Sequence, residues 1–349
     1  MAAARSRSGR TATAPPWVRY SNEKLLEMRL CDLDLEIAAS PLEDRVEELY
    51  DDLARRGFRF RPHVWLSSDW FSPKGVPGIA IPFYLVHKRL QRLERTKMFE
   101  CEGADRKECN RILRHECGHA LQHAYRLHRR RRWQQLFGRS SKRYPEHYRP
   151  DPTSRRYVQH LRLYYAQSHP DEDFAETFAV WMAPRSKWRR RYAGWPALKK
   201  LEYVDELMEE VKEKAPLERS RRRVDDVSRL RTTLAEYYRE KTELYAVGQP
   251  EVFDSDLRKL FSDDPRHADH QRASAFLRRH RAEIRNLVAR WTGEYQYTLD
   301  QVLTDMIERC RELKLRAVGL ERRLVMDFAV LVTVQTMRSH FDRRNWIAL

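Results

Sequence analysis

Two histidines and a glutamate stand close together in the run from Arg111 to Ala120, RILRHECGHA, with the spacing H-E-x-x-H at His115, Glu116 and His119. An α-helix turns about 100° and rises about 1.5 Å per residue, so His115 and His119 fall one turn apart on one face. Their imidazoles can converge on a single metal ion, with Glu116 on the flank of that face, towards the ion's open position. The chemistry this spacing serves is metal-assisted hydrolysis: two His ligands, a water activated by the metal, and a carboxylate to take the water's proton. Cys117 lies between the ligands but faces away from the metal, so it reads as a small packed residue. His123 continues the four-residue rhythm, yet it lies about 12 Å along the axis from His115, too far to share one ion. It reads as a partly exposed helix residue. A polar helix can carry the same three residues as a solvated face, so the motif needs a third ligand and a catalytic helper elsewhere in the chain.

The segment Tyr164 to Glu176, YYAQSHPDEDFAE, offers both. Pro170 cannot continue a helix from upstream but suits the first turn of a new one. Phe174, Phe178 and Trp181 mark its apolar side, and Ala175 and Ala179 leave room for close packing. Together with the H-E-x-x-H run, this segment resembles the gluzincins, the thermolysin-like zinc peptidases. The resemblance implies Glu172 as third ligand. It also implies Glu176, one turn later, as the acid that accepts the outer N–H of His115 or His119 and fixes its tautomer. Asp171 and Asp173 flank Glu172, and the four-residue spacing to Glu176 favours Glu172 over them. Glu176 stands where thermolysin has Asp, which lengthens that arm.

The order Tyr-Ala-x-Ser-x-Pro-x-Glu-x-Phe-Ala-Glu is similar to the corresponding segment of anthrax lethal factor-like metallopeptidases. There a Tyr seven residues before the ligand Glu stabilises the oxyanion; Tyr165 has that distance here, with Tyr164 beside it. The wider stretch, from Gly78–Pro82 through the H-E-x-x-H run to Asp173–Trp181, resembles a group of bacterial zinc-binding metallopeptidases over about residues 40–210. The implied chemistry is peptide-bond hydrolysis with one Zn2+ per chain. Glu116 would be the general base and Tyr165 the hydrogen-bond donor to the oxyanion, acting on a peptide or protein substrate.

Those side chains need a scaffold: the pattern predicts an α+β domain followed by an all-α region, and the resemblance implies that the first is zincin-like. Residues 58–86 read as strands and turns of a small sheet. In zincins the edge strand of such a sheet pairs with an extended substrate, which makes Ile79, Ala80 and Ile81 candidate substrate-binding residues; Pro82 interrupts or caps the run. Helices are predicted over about 106–134, 154–165, 170–183 and 196–213, with a loop at 135–153. Division into a disordered basic arm (1–18), a metallopeptidase domain (19–213) and a helical C-terminal domain (214–349) follows from the charged stretch Lys212–Asp226. The last domain carries apolar residues at helical periods over about 227–247, 269–291, 297–317 and 319–340. It has no metal, nucleophile or phosphate-loop motif, and substrate recruitment, regulation and oligomerisation all stay open for it.

At 349 residues the chain exceeds one typical domain. Charged residues make up 34% and mean hydropathy is −0.80, yet 9 Trp, 16 Tyr and 13 Phe supply material for a core. The formal charge of +17 is concentrated in runs such as Arg129–Arg132, Arg189–Arg191 and Arg221–Arg223. Such runs can bind nucleic acid, with Trp133, Trp188, Tyr192 and Trp195 as stacking partners, or can decorate solvated helices over packed aromatics. Five cysteines without a C-x-x-C pair point to a reducing compartment. The N-terminus lacks the apolar core of a secretory signal. Leu324–Met337 is too short to span a bilayer and contains Asp327, so it reads as a buried helix. The expectation is a cytoplasmic protein with no membrane partner. A zinc metallopeptidase is the first reading of function; a basic helical protein that binds nucleic acid or a partner on an inactive zincin scaffold is the second. Oligomeric state is not legible.

Overall fold

Capping residues and prolines set the first elements. Ser21 caps α1 (Asn22–Leu26), and Ser40, followed by Pro41, starts α2 (Pro41–Arg55). The computed structural model describes residues 15–145, 147–244, 253–341 and 347–348. Strands β1 (His63–Ser67) and β2 (Gly78–Pro82) pair in parallel, from His63 opposite Gly78 to Ser67 opposite Pro82. Then follow α3 (Lys88–Met98), α4 (Arg106–Ala124), α5 (Arg131–Phe137), the short strand β3 (His147–Tyr148), α6 (Pro170–Met182), α7 (Trp188–Arg191) and α8 (Ala197–Val211). Helices α9 (Leu234–Leu244), α10 (Asp254–Leu260), α11 (Ala273–Thr292), α12 (Gln296–Glu312) and α13 (Glu321–Phe341) complete the helical part. Strand β4 (Ile347–Ala348) returns to pair antiparallel with β3. The α+β class with a helical C-terminal region is as expected.

Among the described residues two large apolar cores form, beside a small cluster of Trp65, Val76 and Ala80. The larger runs from Trp17 to Tyr238 and encloses α2, β2, α4, α6 and α8; the smaller spans Leu257 to Val332 and is built by α10 to α13. Residues beyond the charged stretch also contribute to the larger core. Val227, Leu234, Tyr237 and Tyr238 belong to the first core. The backbone N–H groups of Leu30, Cys31 and Leu234 bond to Thr232, Leu230 and Met28. The Trp65 indole and the Ser67 hydroxyl donate to the carbonyls of Val224 and Asp225. A segment this charged is held through its main chain, which hydropathy does not register.

Several expected boundaries shift for physical reasons. Of the arm over 1–18, residues 1–14 lie outside the described residues, while Trp17 is buried and its indole donates to the Leu33 carbonyl at 3.0 Å. The helix expected over 106–134 stops at Ala124. The N–H groups of Leu217 and Glu218 both take the Ala124 carbonyl (2.8 and 3.0 Å), and Arg126 turns left-handed at φ 50°. The helix expected over 154–165 is absent, and only a 3-10 turn, Arg162–Gln167, forms there. Helices α3 and α10 were not anticipated, because their few apolar positions are spread among many charges. Helix α13 buries Leu324, Val325, Phe328 and Val332 but leaves Met326, Val330 and Val334 exposed, so it is packed on one side only.

Candidate metal centre

Helix α4 starts at Asp105, whose carboxylate accepts the N–H groups of Lys107 and Glu108 (2.9 and 3.2 Å). From Ile112 onwards it is buried almost all round, which is why its polar residues can only be functional or paired. Helix α6 begins at His169, whose ring Nδ1 accepts the Asp171 N–H at 3.1 Å, with Pro170 in the first turn. Residues Asp171 to Met182 are all buried. The expected apolar side is present: Phe174 and Phe178 are sealed in the core and Trp181 nearly so. Burial of each such ring contributes about 1.5–3 kcal/mol. Gly118 of α4 lies against α6 at Ala175, so the two backbones approach closely and bring their polar side chains together.

At that crossing three donor atoms converge. Nε2 of His115 and Nε2 of His119 are 3.1 Å apart, and Oε2 of Glu172 lies 3.0 and 3.1 Å from them. All three residues are buried. Ligands of a tetrahedral zinc ion, about 2.0–2.1 Å from it, stand roughly 3.3 Å from one another, so the triangle fits the ion. Behind it, Nδ1–H of His115 donates to Oε1 of Glu176 at 2.9 Å, which leaves the Nε2 lone pair facing the other two donors. Oε2 of Glu176 accepts the Leu161 N–H at 2.8 Å. Of the acids flanking Glu172, Asp171 is tied to Gln122 (2.8 Å) and Ser140 (3.0 Å), and Asp173 pairs with Lys200 at 2.5 Å. Neither faces the histidines.

Glu116 is buried, and its Oε2 has no hydrogen-bond partner. Tyr165 sits with its ring 5.7 Å from that of His115. The chain reaches this point through two successive left-handed residues, Leu163 (φ 56°, ψ 23°) and Tyr164 (φ 57°, ψ 41°). The segment is pinned before and at them: His160 Nε2 donates to the Arg111 carbonyl at 3.0 Å, and the Tyr148 hydroxyl donates to the Leu163 carbonyl at 2.8 Å. Bonds from this segment to α4 and α6 replace those of the expected helix.

Electrostatics follow burial and pairing. Burial opposes charge on His115 and His119, but the carboxylate of Glu172, joined at His115 by that of Glu176, outweighs it and raises both imidazole pKa values. Burial would raise Glu172, yet the two imidazoles hold it well below the carboxylate range; Glu176 is lowered by His115 in the same way. Glu116 is raised, because burial exceeds the pull of the two histidines. Burial also raises Cys117, so it stays a packed thiol as expected. His123 is buried rather than partly exposed, and burial with its His119 and His128 neighbours lowers it to about 3.

Other expectations fare differently. Ile79, Ala80 and Ile81 are wholly buried. The second side of β2 is closed over Gly78 and Ala80, because Phe71 O accepts the Ala80 N–H at 2.8 Å and Ser72 Oγ donates to Gly78 O at 2.8 Å. An open edge for substrate is not found there. The arginine runs are partly spent on ion pairs: Arg130 with Glu210 (2.6 Å), Arg132 with Glu206 (2.5 Å) and Arg189 with Asp205 (2.5 Å). Trp133, Trp188 and Tyr192 are core residues. Sequence reasoning missed Tyr144, whose hydroxyl donates to Oε1 of Glu172 at 2.8 Å, and His160. Tyr144 lies in a loop without period, and His160 lies in a stretch that reads as helix, so neither reveals its distant partner.

Among the described residues no helix is long and apolar enough to cross a membrane. No curated protein and no solved structure matches the chain. Residues 108–192 match the model of a family described as "putative zinc-binding metallo-peptidase". That span holds His115, Glu116, His119, Tyr165, Glu172 and Glu176, and over it the chain is similar to a zinc-binding metallopeptidase family.

Proposed function

We propose that this protein is a zinc-dependent peptidase of the gluzincin type. His115, His119 and Glu172 hold one ion, Glu116 is the general base and Tyr165 is the oxyanion donor. The observation that carries the reading is the buried triangle of Nε2, Nε2 and Oε2 with edges of 3.0–3.1 Å, backed by the Glu176 bond to His115. A zinc ion bound there supplies Lewis acidity that polarises a scissile carbonyl and acidifies a water. Glu116, with an unpartnered oxygen beside the two histidines, takes the proton from the attacking water and passes it to the leaving amine. Tyr165 donates its phenolic hydrogen to the carbonyl oxygen as negative charge builds on it. Burial and the neighbouring carboxylates raise that phenol's pKa well above its ordinary value, so it keeps the proton it needs to donate. Glu176 keeps the proton on Nδ1 of His115 and so preserves the ligand face of that ring. The substrate class is peptide or protein, and five free cysteines fit a reducing, cytoplasmic setting.

Binding of nucleic acid as the primary role draws little support from the geometry. Trp133, Trp188 and Tyr192 are buried and Trp195 is half-buried, and several of the arginines are braced against acids of α8.

The test is metal content by mass spectrometry of purified wild type, Glu172→Ala and Glu116→Gln, followed by a peptide-library digest. About one zinc per chain in wild type and Glu116→Gln, and a clear loss in Glu172→Ala, is the expected result. A wild type that takes up no zinc on supplementation would sink the proposal.

A further inference from the structure

The loop after α5 runs along the first turn of α6 and touches it at every second residue. A Cβ built on Gly138 would meet Pro170 Cγ at 3.2 Å. Ser140 Oγ donates to Asp171 Oδ2 at 3.0 Å. The Lys142 carbonyl accepts Nε2–H of His169 at 2.8 Å. Finally, Tyr144 Oη donates to Oε1 of Glu172 at 2.8 Å. His169 has its tautomer fixed, since Nδ1 accepts the Asp171 N–H while Nε2 donates to Lys142. Its buried ring lies flat under Tyr144, centroids 3.7 Å apart and planes 14° from parallel. Tyr144 itself is 43% exposed on its outer side, so packing alone does not explain its fixed place.

The two oxygens of Glu172 therefore have different occupations. Oε2 faces both imidazoles, and Oε1 is engaged by a phenol. We propose that Tyr144, held by His169, is a positioning residue that keeps Oε1 of Glu172 away from the metal, so the ion receives one oxygen and retains an open site. This rests on the zinc-site reading above. A carboxylate free to rotate can offer both oxygens and fill the position that an attacking water requires. A hydrogen bond to the outer oxygen of a ligating carboxylate is the kind of support whose loss costs 10–100-fold in metal affinity or activity. The division of work also explains why two phenols are needed: Tyr144 is committed to Glu172, and Tyr165 is left for substrate.

The experiment uses the full chain loaded with cobalt(II), whose d–d absorption weakens as coordination number rises, and zinc affinity measured by chelator competition. Tyr144→Phe removes only the hydroxyl. His169→Asn keeps a capping side chain at the start of α6 but removes the stack and the bond to Lys142. Both variants should weaken zinc binding by about 10–100-fold and lower the cobalt absorption relative to wild type, with unchanged far-UV circular dichroism. A Tyr144→Phe protein with superimposable cobalt spectrum and zinc affinity within about twofold of wild type would overturn the inference while leaving the zinc site intact. Wild type that binds neither cobalt nor zinc would overturn the zinc-site reading itself, and this inference with it.

Discussion

Gly118 faces the backbone of Ala175 so closely that a Cβ at position 118 would lie 2.9 Å from the Ala175 Cα. The contact joins the two helices that carry His115, His119 and Glu172, so space at Gly118 sets the size of the donor triangle. Gly118→Ala should force α4 and α6 apart. Overpacking of this kind costs about 1–3 kcal/mol, in spite of the better helix propensity of alanine. Thermal melts should show a lower midpoint, and chelator competition should show weaker zinc binding. An alanine variant as stable as wild type, with unchanged metal affinity, would mean that the crossing has slack.

Glu176 does not touch the triangle but holds His115 from behind at 2.9 Å. Glu176→Ala should lower zinc affinity by about 10–100-fold. Glu176→Gln can still accept the Nδ1–H and should lose less. The order of the two affinities, by competition with a chromogenic chelator, checks the assignment.

Glu116 and Tyr165 should separate binding from chemistry. Glu116→Gln is expected to keep its zinc and lose about 10²–10⁴-fold in kcat. Tyr165→Phe should lose about 10²–10³-fold, chiefly in kcat rather than KM. Digestion of a denatured protein substrate, normalised to metal content, provides the comparison. Loss of metal from Glu116→Gln would place that carboxylate among the ligands instead.

The charges of the site give a pH signature. In the metal-free protein His115 and His119 have raised pKa values, so their contribution is full below about 6.5 and disappears as pH climbs through the folded-state values. Glu172 and Glu176 are lowered, so theirs is full above about 4.3 and is lost as pH falls through the folded-state values. The cluster thus stabilises the metal-free fold most between about pH 4.5 and 6.5. Zinc competes with the imidazole protons, so the gain in Tm on adding zinc should increase steadily from pH 6 to pH 8. Paired melts with and without zinc test this; a gain independent of pH would exclude histidine ligation.

Much of the site was legible because helical geometry is strongly constrained by spacing. His115 and His119 need only one turn of helix to be placed together, while Glu172 and Glu176 were singled out by the gluzincin resemblance, whose four-residue spacing they match in a helix that starts at Pro170. What failed to show in the sequence depends on contacts far apart in the chain. Nothing near Tyr144 reveals that it meets Glu172, because the loop has no period and its anchor, His169, lies 25 residues on. Ile79–Ile81 reads as a strand and is one, but whether its second side is open depends on Phe71 and Ser72. The Ala124 carbonyl ends α4 because Leu217, almost a hundred residues later, competes for it. In the same way, the charge of the arginine runs was countable in advance, whereas their partners on α8 were not.

The left-handed pair at Leu163 and Tyr164 has a consequence for the helices beyond the matched segment. Two such residues carry a conformational cost of about 1–2 kcal/mol each, and something must oppose their relaxation. Part of that restraint comes from the C-terminal helices. Gly293, at the end of α11, faces the Leu163 side chain, while Tyr297 of α12 stacks on Phe99 and Arg285 of α11 lies 4.2 Å from the same ring. Helix α11 thus touches the Leu163 side of the turn that carries Tyr165, and α11 and α12 together hold Phe99. On the proposed zinc-peptidase reading, a chain cut back before α11 should bind zinc as the full chain does but turn over more slowly, because the Leu163 side of the Tyr165 turn loses its Gly293 neighbour.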